Sequence, residues 1–264
     1  MKNLSVILGL LLLLNSCTTV PLTGRKQLNI VSNQEVLTSS FQQYNEYIQT
    51  AAISSDKKDT DLVIKVGKRI AAAVELYMKN NGMADQIQDY KWEFHLVANK
   101  EPNAFCMPGG KIVVYEGILP YTKDETGLAV VLGHEVAHAV AKHSNERMSQ
   151  QVVASVGSEL VNLAVSQKSA VVQQLAPMVY GLGAQYAIML PYSREHEHEA
   201  DHLGLIFMAM AGYDPSAAEA FWTRMSASSA NVPEFLSTHP SGDNRIQKIR
   251  EWLPESKKYY TPVY

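Results

Sequence analysis

Cysteine is scarce in this chain: its 264 residues hold two, Cys17 and Cys106. Charge of one sign is scarce as well. The formal net charge is −3 and no Lys/Arg-rich run stands out, so nothing argues for nucleic acid as a partner. Internal repeats and low-complexity segments are absent, and with them solenoid and linker architectures. A long apolar run is missing from the N-terminus too. Val6 to Leu14 is well short of the ~20 residues that a helix needs to cross a bilayer. What is present is enough chain, 46% of it hydrophobic, for one sizeable core.

The short apolar run has a different use. With Lys2 before it, it suits the h-region of a signal peptide, and it ends in Leu14-Asn15-Ser16-Cys17. That ending resembles a bacterial lipobox, with Asn15 an imperfect fit. Residues 1–16 are then a lipoprotein signal peptide and Cys17 carries the lipid. Residues 17–34 form a lipid-anchored tether, broken by Pro21 and Gly24, and residues 35–264 form the main domain. Acyl chains contribute ~0.8 kcal/mol per buried methylene, enough for firm membrane attachment. Thr18 in place of an Asp points to the outer membrane, on its periplasmic side. An ordinary secretory signal that happens to contain a Cys is the alternative. With Cys17 lipidated no intrachain disulfide is possible, and the lone thiol of Cys106 reads as buried and inert.

Helical periodicity runs from Glu35 to about Asn80 through Leu62, Val66, Ile70 and Val74, and Gly82 closes it. "YKWEFHLVAN" changes to the alternation of a strand. A second β-rich stretch, "NAFCMPGGKIVVYEGIL", turns at Pro108-Gly109-Gly110. Together these predict a small antiparallel sheet in a mainly helical α+β domain. Thr122 to Glu125 reads as a capping box opening the helix "GLAVVLGHEVAHAVAKH". Residues 151–190 carry only Glu159 and Lys168 as charges and read as buried helices, with a membrane-touching hairpin the lesser reading.

Two HExxH motifs occur, His134-Glu135-Val136-Ala137-His138 and His198-Glu199-Ala200-Asp201-His202. Each sets two imidazoles four residues, about 6 Å, apart on one helix face, where both can reach one zinc. The surroundings separate them. The first is wrapped in Leu132, Val136, Ala137 and Ala139, as a zinc helix running through a core requires. The second has Asp201 between its histidines and charge on several sides. Two histidines leave a zinc short of a ligand, because catalytic sites use three protein ligands and a water. At about 100° per residue, Glu197, Ala200, Asp201 and Gly204 share one face of the second helix. Glu197 can then face the metal, and Asp201 can accept a hydrogen bond from the far nitrogen of a ligand histidine. His198 and His202 point elsewhere. His143, about 180° from His134 on a continuous helix, reads as a surface residue.

The motifs "HEVAH", "NAFCMPGG", "SREHEHEAD" and "THPSGDNRI" together resemble the HtpX- and Oma-type zinc metallopeptidases, relatives of the CAAX prenyl protease, and within them the short bacterial lipoproteins. The resemblance covers nearly the whole chain after Cys17. It implies a gluzincin-like zincin domain holding one zinc on His134, His138 and Glu197, with Asp201 behind them. Glu135 is the implied general base, a role worth typically ~10²–10⁴-fold. His239 is expected near the metal, as oxyanion donor or as a fourth, inhibitory ligand, with Arg245 supporting its loop; a cap on the final helix is the bland alternative. Asn103 belongs to the substrate-side motif. Lys111 to Glu116 is a candidate edge strand for an extended substrate. The implied function is endoproteolysis of envelope proteins in quality control. Rival readings are a proteolytically idle, zinc-bound chaperone or assembly factor, and a metal hydrolase acting on cell-wall or lipid substrates.

Overall fold

The computed structural model describes residues 17–166, 190–227, 235–236, 239 and 244–262. The chain divides into two compact units, residues 1–36 with 142–195, and residues 37–141 with 196–264.

In the first unit β1 (Cys17–Thr19) pairs antiparallel with β2 (Lys26–Leu28), so the described part of the expected tether is a hairpin. Arg25 donates two hydrogen bonds, at 2.8 and 2.7 Å, to the buried Glu146. Ser149 Oγ accepts the backbone N–H groups of Ile30 and Val31. Glu146 and Ser149 lie on a helix, His143–Val165, whose Val152, Val153, Val156 and Leu160 are exposed, against the expectation of burial. Residues 167–189, the remainder of that charge-poor stretch, lie outside the described residues, as does the expected signal segment 1–16.

The second unit holds most of the core. The single helical region expected before Asn80 is two helices, α1 (Asn33–Thr50) and α2 (Lys57–Asn80). Both starts are written in short polar stretches. Ser32 and Glu35 cap α1 reciprocally, and Asp56 accepts the Asp59 N–H at the start of α2. β3 (Glu93–Val97), β4 (Ala104–Met107) and β5 (Lys111–Tyr115) form a sheet in the order β3-β5-β4. The sheet is mixed, not purely antiparallel: β3 runs parallel to β5, and only β4 is antiparallel to it. Strand alternation shows which side chains face the core, but it says nothing of strand order. β5 is therefore the central strand, which corrects the reading of Lys111 to Glu116 as an edge. β4 is an edge, and among the described residues no further strand pairs with it. Phe94, Leu96, Ile112, Val114 and Ala104 share the face turned toward α2 and the helix that begins at Glu125. The other face, with Val97, Val113, Phe105 and Tyr115, is covered by Tyr44, Tyr47 and Ile48 of α1.

After a one-turn helix, α3 (Leu119–Thr122), comes α4 (Glu125–Val140). Its N-cap is Asp124, whose carboxylate accepts the Gly127 N–H at 2.8 Å. Thr122 instead donates to the Leu119 carbonyl and ends α3, so the expected Thr122 cap is replaced. α4 stops at Val140 because Lys142 takes a left-handed backbone conformation, φ 57°. His143 therefore starts the next helix, α5 (His143–Val165), and is buried; the continuous-helix assumption behind its surface reading fails there. α6 (Leu190–Met210), α7 (Ala217–Ala227) and α8 (Arg245–Ser256) complete the fold. Among the described residues no helix is long and apolar enough to cross a membrane.

Candidate active site

α4 is buried on nearly every side, with Leu132, Val136 and Ala137 fully enclosed around its histidines. α6 crosses it at backbone contact. A Cβ placed on Gly133 would stand 2.8 Å from the Gly204 carbonyl oxygen, and one on Gly204 would stand 2.9 Å from the His134 nitrogen. Two glycines at the crossing let the helices approach closely enough for Glu197 of α6 to meet both α4 histidines. Its carboxylate oxygens lie 3.2 Å from His134 Nε2 and 3.3 Å from His138 Nε2.

His134 Nε2 and His138 Nε2 are 3.1 Å apart. His239 Nδ1 is 3.2 Å from His134 Nε2 and 3.1 Å from Glu197 Oε1. Donor atoms of His134, His138, Glu197 and His239 all lie within 4.8 Å of one another. A tetrahedral zinc with bonds near 2.0–2.1 Å places its ligand atoms about 3.3 Å apart. Five of the six donor pairs, taking the nearer Glu197 oxygen in each, stand 3.1–3.3 Å apart, close to that edge length, and all lie within 4.8 Å, so the donor set fits zinc. Two or three imidazoles with one carboxylate also suit zinc chemically.

The groups behind these donors fix their orientation. His134 Nδ1 donates to Asp201 Oδ1 at 2.9 Å, which keeps the lone pair of Nε2 turned into the cluster. Asp201 Oδ1 also accepts Arg245 Nη2 at 2.6 Å. The Arg245 guanidinium lies on the Trp222 ring, 3.2 Å from its centroid, and is 3.5 Å from the His239 carbonyl oxygen. Trp222 is also edge-on to His134, at 5.4 Å, and stacks with Phe235, which in turn packs on His239. Neither aromatic was singled out from the sequence; nothing in their spacing ties them to the HExxH helix.

Burial works against a charged His134, but its hydrogen bonds to the Asp201 and Glu197 carboxylates and their negative charge outweigh it and push its pKa up to about 9. Burial likewise opposes ionisation of Glu197, and His138, His134 and His239 hold it well below the ordinary carboxylate value. Glu135 differs. Burial dominates and pushes its carboxyl up, the direction that brings a general base toward working pH. The Cys106 backbone N–H donates to the Glu135 carboxylate, which sets β4 beside it. Glu135 Oε1 is buried and has no hydrogen-bond partner among the described residues; His239 Nε2 lies 3.3 Å away without the alignment of a bond. The Cys106 thiol is pushed well up by burial and by Glu135, so it is held as the neutral, unreactive form.

Asn103 is buried, and its Oδ1 accepts the Ala104 N–H at 2.9 Å while its carbonyl accepts the Tyr115 N–H. It fixes the entry into β4. The histidines of the second HExxH lie elsewhere: His202 bonds Glu255 and stacks on Trp252, and His198 sits edge-on to the same ring.

Comparison with known proteins gives a concordant result. The chain is 38% identical over 244 residues to the mitochondrial metalloendopeptidase OMA1 of Schizosaccharomyces pombe, covering 90% of this chain and 67% of that one. It is 28% identical over 249 residues to the human metalloendopeptidase OMA1, covering 90% and 46%. It is 29% identical over 169 residues to the beta-barrel assembly-enhancing protease of Escherichia coli strain K12, covering 60% and 34%. The chain thus spans from about a third to two thirds of the length of these relatives. The model of Peptidase family M48 matches residues 65–253, which contain every donor of the cluster, and the chain belongs to that family.

Proposed function

We propose that this protein is a zinc metalloendopeptidase of a bacterial envelope, tethered through a lipid on Cys17 to the periplasmic side of the outer membrane, where it cleaves envelope proteins in quality control. One observation carries the catalytic part: four donor side chains clustered within 4.8 Å, with a buried Glu135 oxygen beside them and, among the described residues, neither a partner for that oxygen nor a further strand on the β4 edge next to it.

His134, His138 and Glu197 would hold zinc, which when bound supplies the Lewis acidity that makes hydroxide available near neutral pH. Glu135 takes the proton of the attacking water and passes it to the leaving amine, work that its raised pKa suits. β4 offers the unpaired side of its backbone to an extended peptide, which would then lie alongside Glu135. Asp201 and Arg245 keep His134 in its tautomer and in place. His239 Nδ1 stands 3.2 Å from His134 Nε2 and 3.1 Å from Glu197 Oε1, so it could itself hold the metal, which supports a latent state in which it blocks the position a substrate needs.

The envelope assignment draws on the lipobox-like start and on the likeness to a bacterial protease named for β-barrel assembly. The test is casein digestion by purified protein. Cleavage should stop with chelator, return with zinc, and be absent in Glu135→Gln. Proteomics of a host carrying the Glu135→Gln variant as a trap should recover envelope proteins. Chelator-insensitive cleavage, or none after zinc loading in either the wild type or His239→Ala, refutes the peptidase reading.

A further inference from the structure

The second HExxH takes no part in the donor cluster, yet His202 is held on two sides. Its ring stacks on Trp252 of α8, centroids 4.8 Å apart and planes 8° off parallel. Its Nε2 is 2.9 Å from Glu255 Oε2 on the same helix. We propose that His202 is a positioning residue: with Trp252 and Glu255 it sets the register of α8 on α6, so that Arg245 reaches Asp201 and the His239 carbonyl. This rests on the zinc reading above.

α8 has a weak point that such a clamp spans. Pro254 lies inside it, so the Arg250 carbonyl loses its intrahelical donor and the ladder has a gap one turn before the helix ends. Beyond that gap the turn is fastened by the Lys257 N–H on the Leu253 carbonyl, by Ser256 Oγ on the Trp252 carbonyl and by the His202 contacts. Arg245 and Trp252 are seven residues apart, two turns and about 10.5 Å along one face. One end of that face meets Asp201, and the other meets the next residue of α6, His202. Arg245 is buried, flat on Trp222, and reaches Asp201 at 2.6 Å, so it has little freedom to follow a sliding helix. A shift of α8 would pull it from the carboxylate that orients His134. Burial lowers the His202 pKa, which keeps the ring neutral with its Nε2–H for Glu255. Glu255 is 42% exposed, so a bond to it adds little stability by itself; its consequence is directional.

The test measures zinc affinity by chelator competition on full-length His202→Ala, with Glu255→Ala as a second variant at an exposed site that tolerates truncation. Loss of an outer partner of a ligand histidine typically costs 10–100-fold in metal affinity. We expect about tenfold for His202→Ala, a few-fold for Glu255→Ala, and near wild-type affinity for Glu255→Gln, whose amide oxygen still accepts. In an Arg245→Lys background the His202→Ala effect should vanish, because the group it positions is gone. Loss of thermal stability with unchanged zinc affinity, or an undiminished His202→Ala effect in the Lys background, overturns the proposal. Failure of the wild type itself to bind zinc would refute the peptidase reading instead.

Discussion

Gly204→Ala places one methyl group at the crossing of α4 and α6, and the structure sets its consequence. The new Cβ would stand 2.9 Å from the His134 nitrogen, 3.0 Å from the Gly133 carbonyl carbon and 3.1 Å from its oxygen. All three are backbone atoms, so no side chain can rotate out of the way. Comfortable contact begins at about 3.5 Å, so the helices must part by about half an ångström. Helix propensity favours Ala over Gly by ~1 kcal/mol, and overpacking costs ~1–3 kcal/mol, so the net loss of stability is only ~0–2 kcal/mol. The metal site is far less tolerant. Glu197 rides on α6 and the two histidines on α4, at donor separations of 3.2 and 3.3 Å, and zinc–ligand distances hold to within about 0.2 Å. Zinc affinity should therefore fall by about tenfold or more, comparable to losing an outer-shell partner. The assay is chelator competition beside thermal unfolding. Gly67→Ala, whose methyl would meet the Phe94 ring away from the donors, is the control: it should lower stability and leave zinc affinity alone. Wild-type zinc affinity in Gly204→Ala would refute the claim that this crossing sets the ligand geometry.

His239→Ala should raise casein or self-cleavage at unchanged zinc content, since it removes the blocking nitrogen; a fall of ~10²-fold would instead make His239 an oxyanion donor. Cys17→Ala should move the protein from membranes to the soluble periplasmic fraction, and a soluble wild type without acyl mass on Cys17 would refute the anchor. Glu125 should contribute acid-sensitive stability. Burial alone would raise its pKa, but Lys65, Tyr213 and Arg69 outweigh burial and hold it below the ordinary 4.5. A carboxyl depressed on folding stabilises above its unfolded pKa and loses that contribution as pH falls through the folded one. Below about pH 4.5 the wild type should therefore lose more melting temperature than Glu125→Gln; equal losses would contradict the pairing.

The parts of the site that sit on one helix were legible from the sequence. Apolar neighbours marked His134 and His138, and the shared face of Glu197, Asp201 and Gly204 could be counted at 100° per residue. What depends on long-range assembly was not. Alternation in β3 and β5 could not reveal that they pair in parallel, nor that β4 takes the edge. Burial of His143 turned on one left-handed residue, Lys142, that carries no glycine to announce it. Trp222 comes into the site only because α7 packs against α4, and the ring then supports Arg245 from beneath. Arg245 was noticed through its motif, but its bond to Asp201 joins residues 44 positions apart.

The central claim is that the first HExxH and Glu197 hold the metal and the second HExxH does not. The most direct test is zinc content of purified His138→Ala and His202→Ala at micromolar concentration. His138→Ala should carry almost none, and His202→Ala should carry about one zinc per chain, bound more weakly than in the wild type. Zinc retained by His138→Ala and lost from His202→Ala would contradict the account.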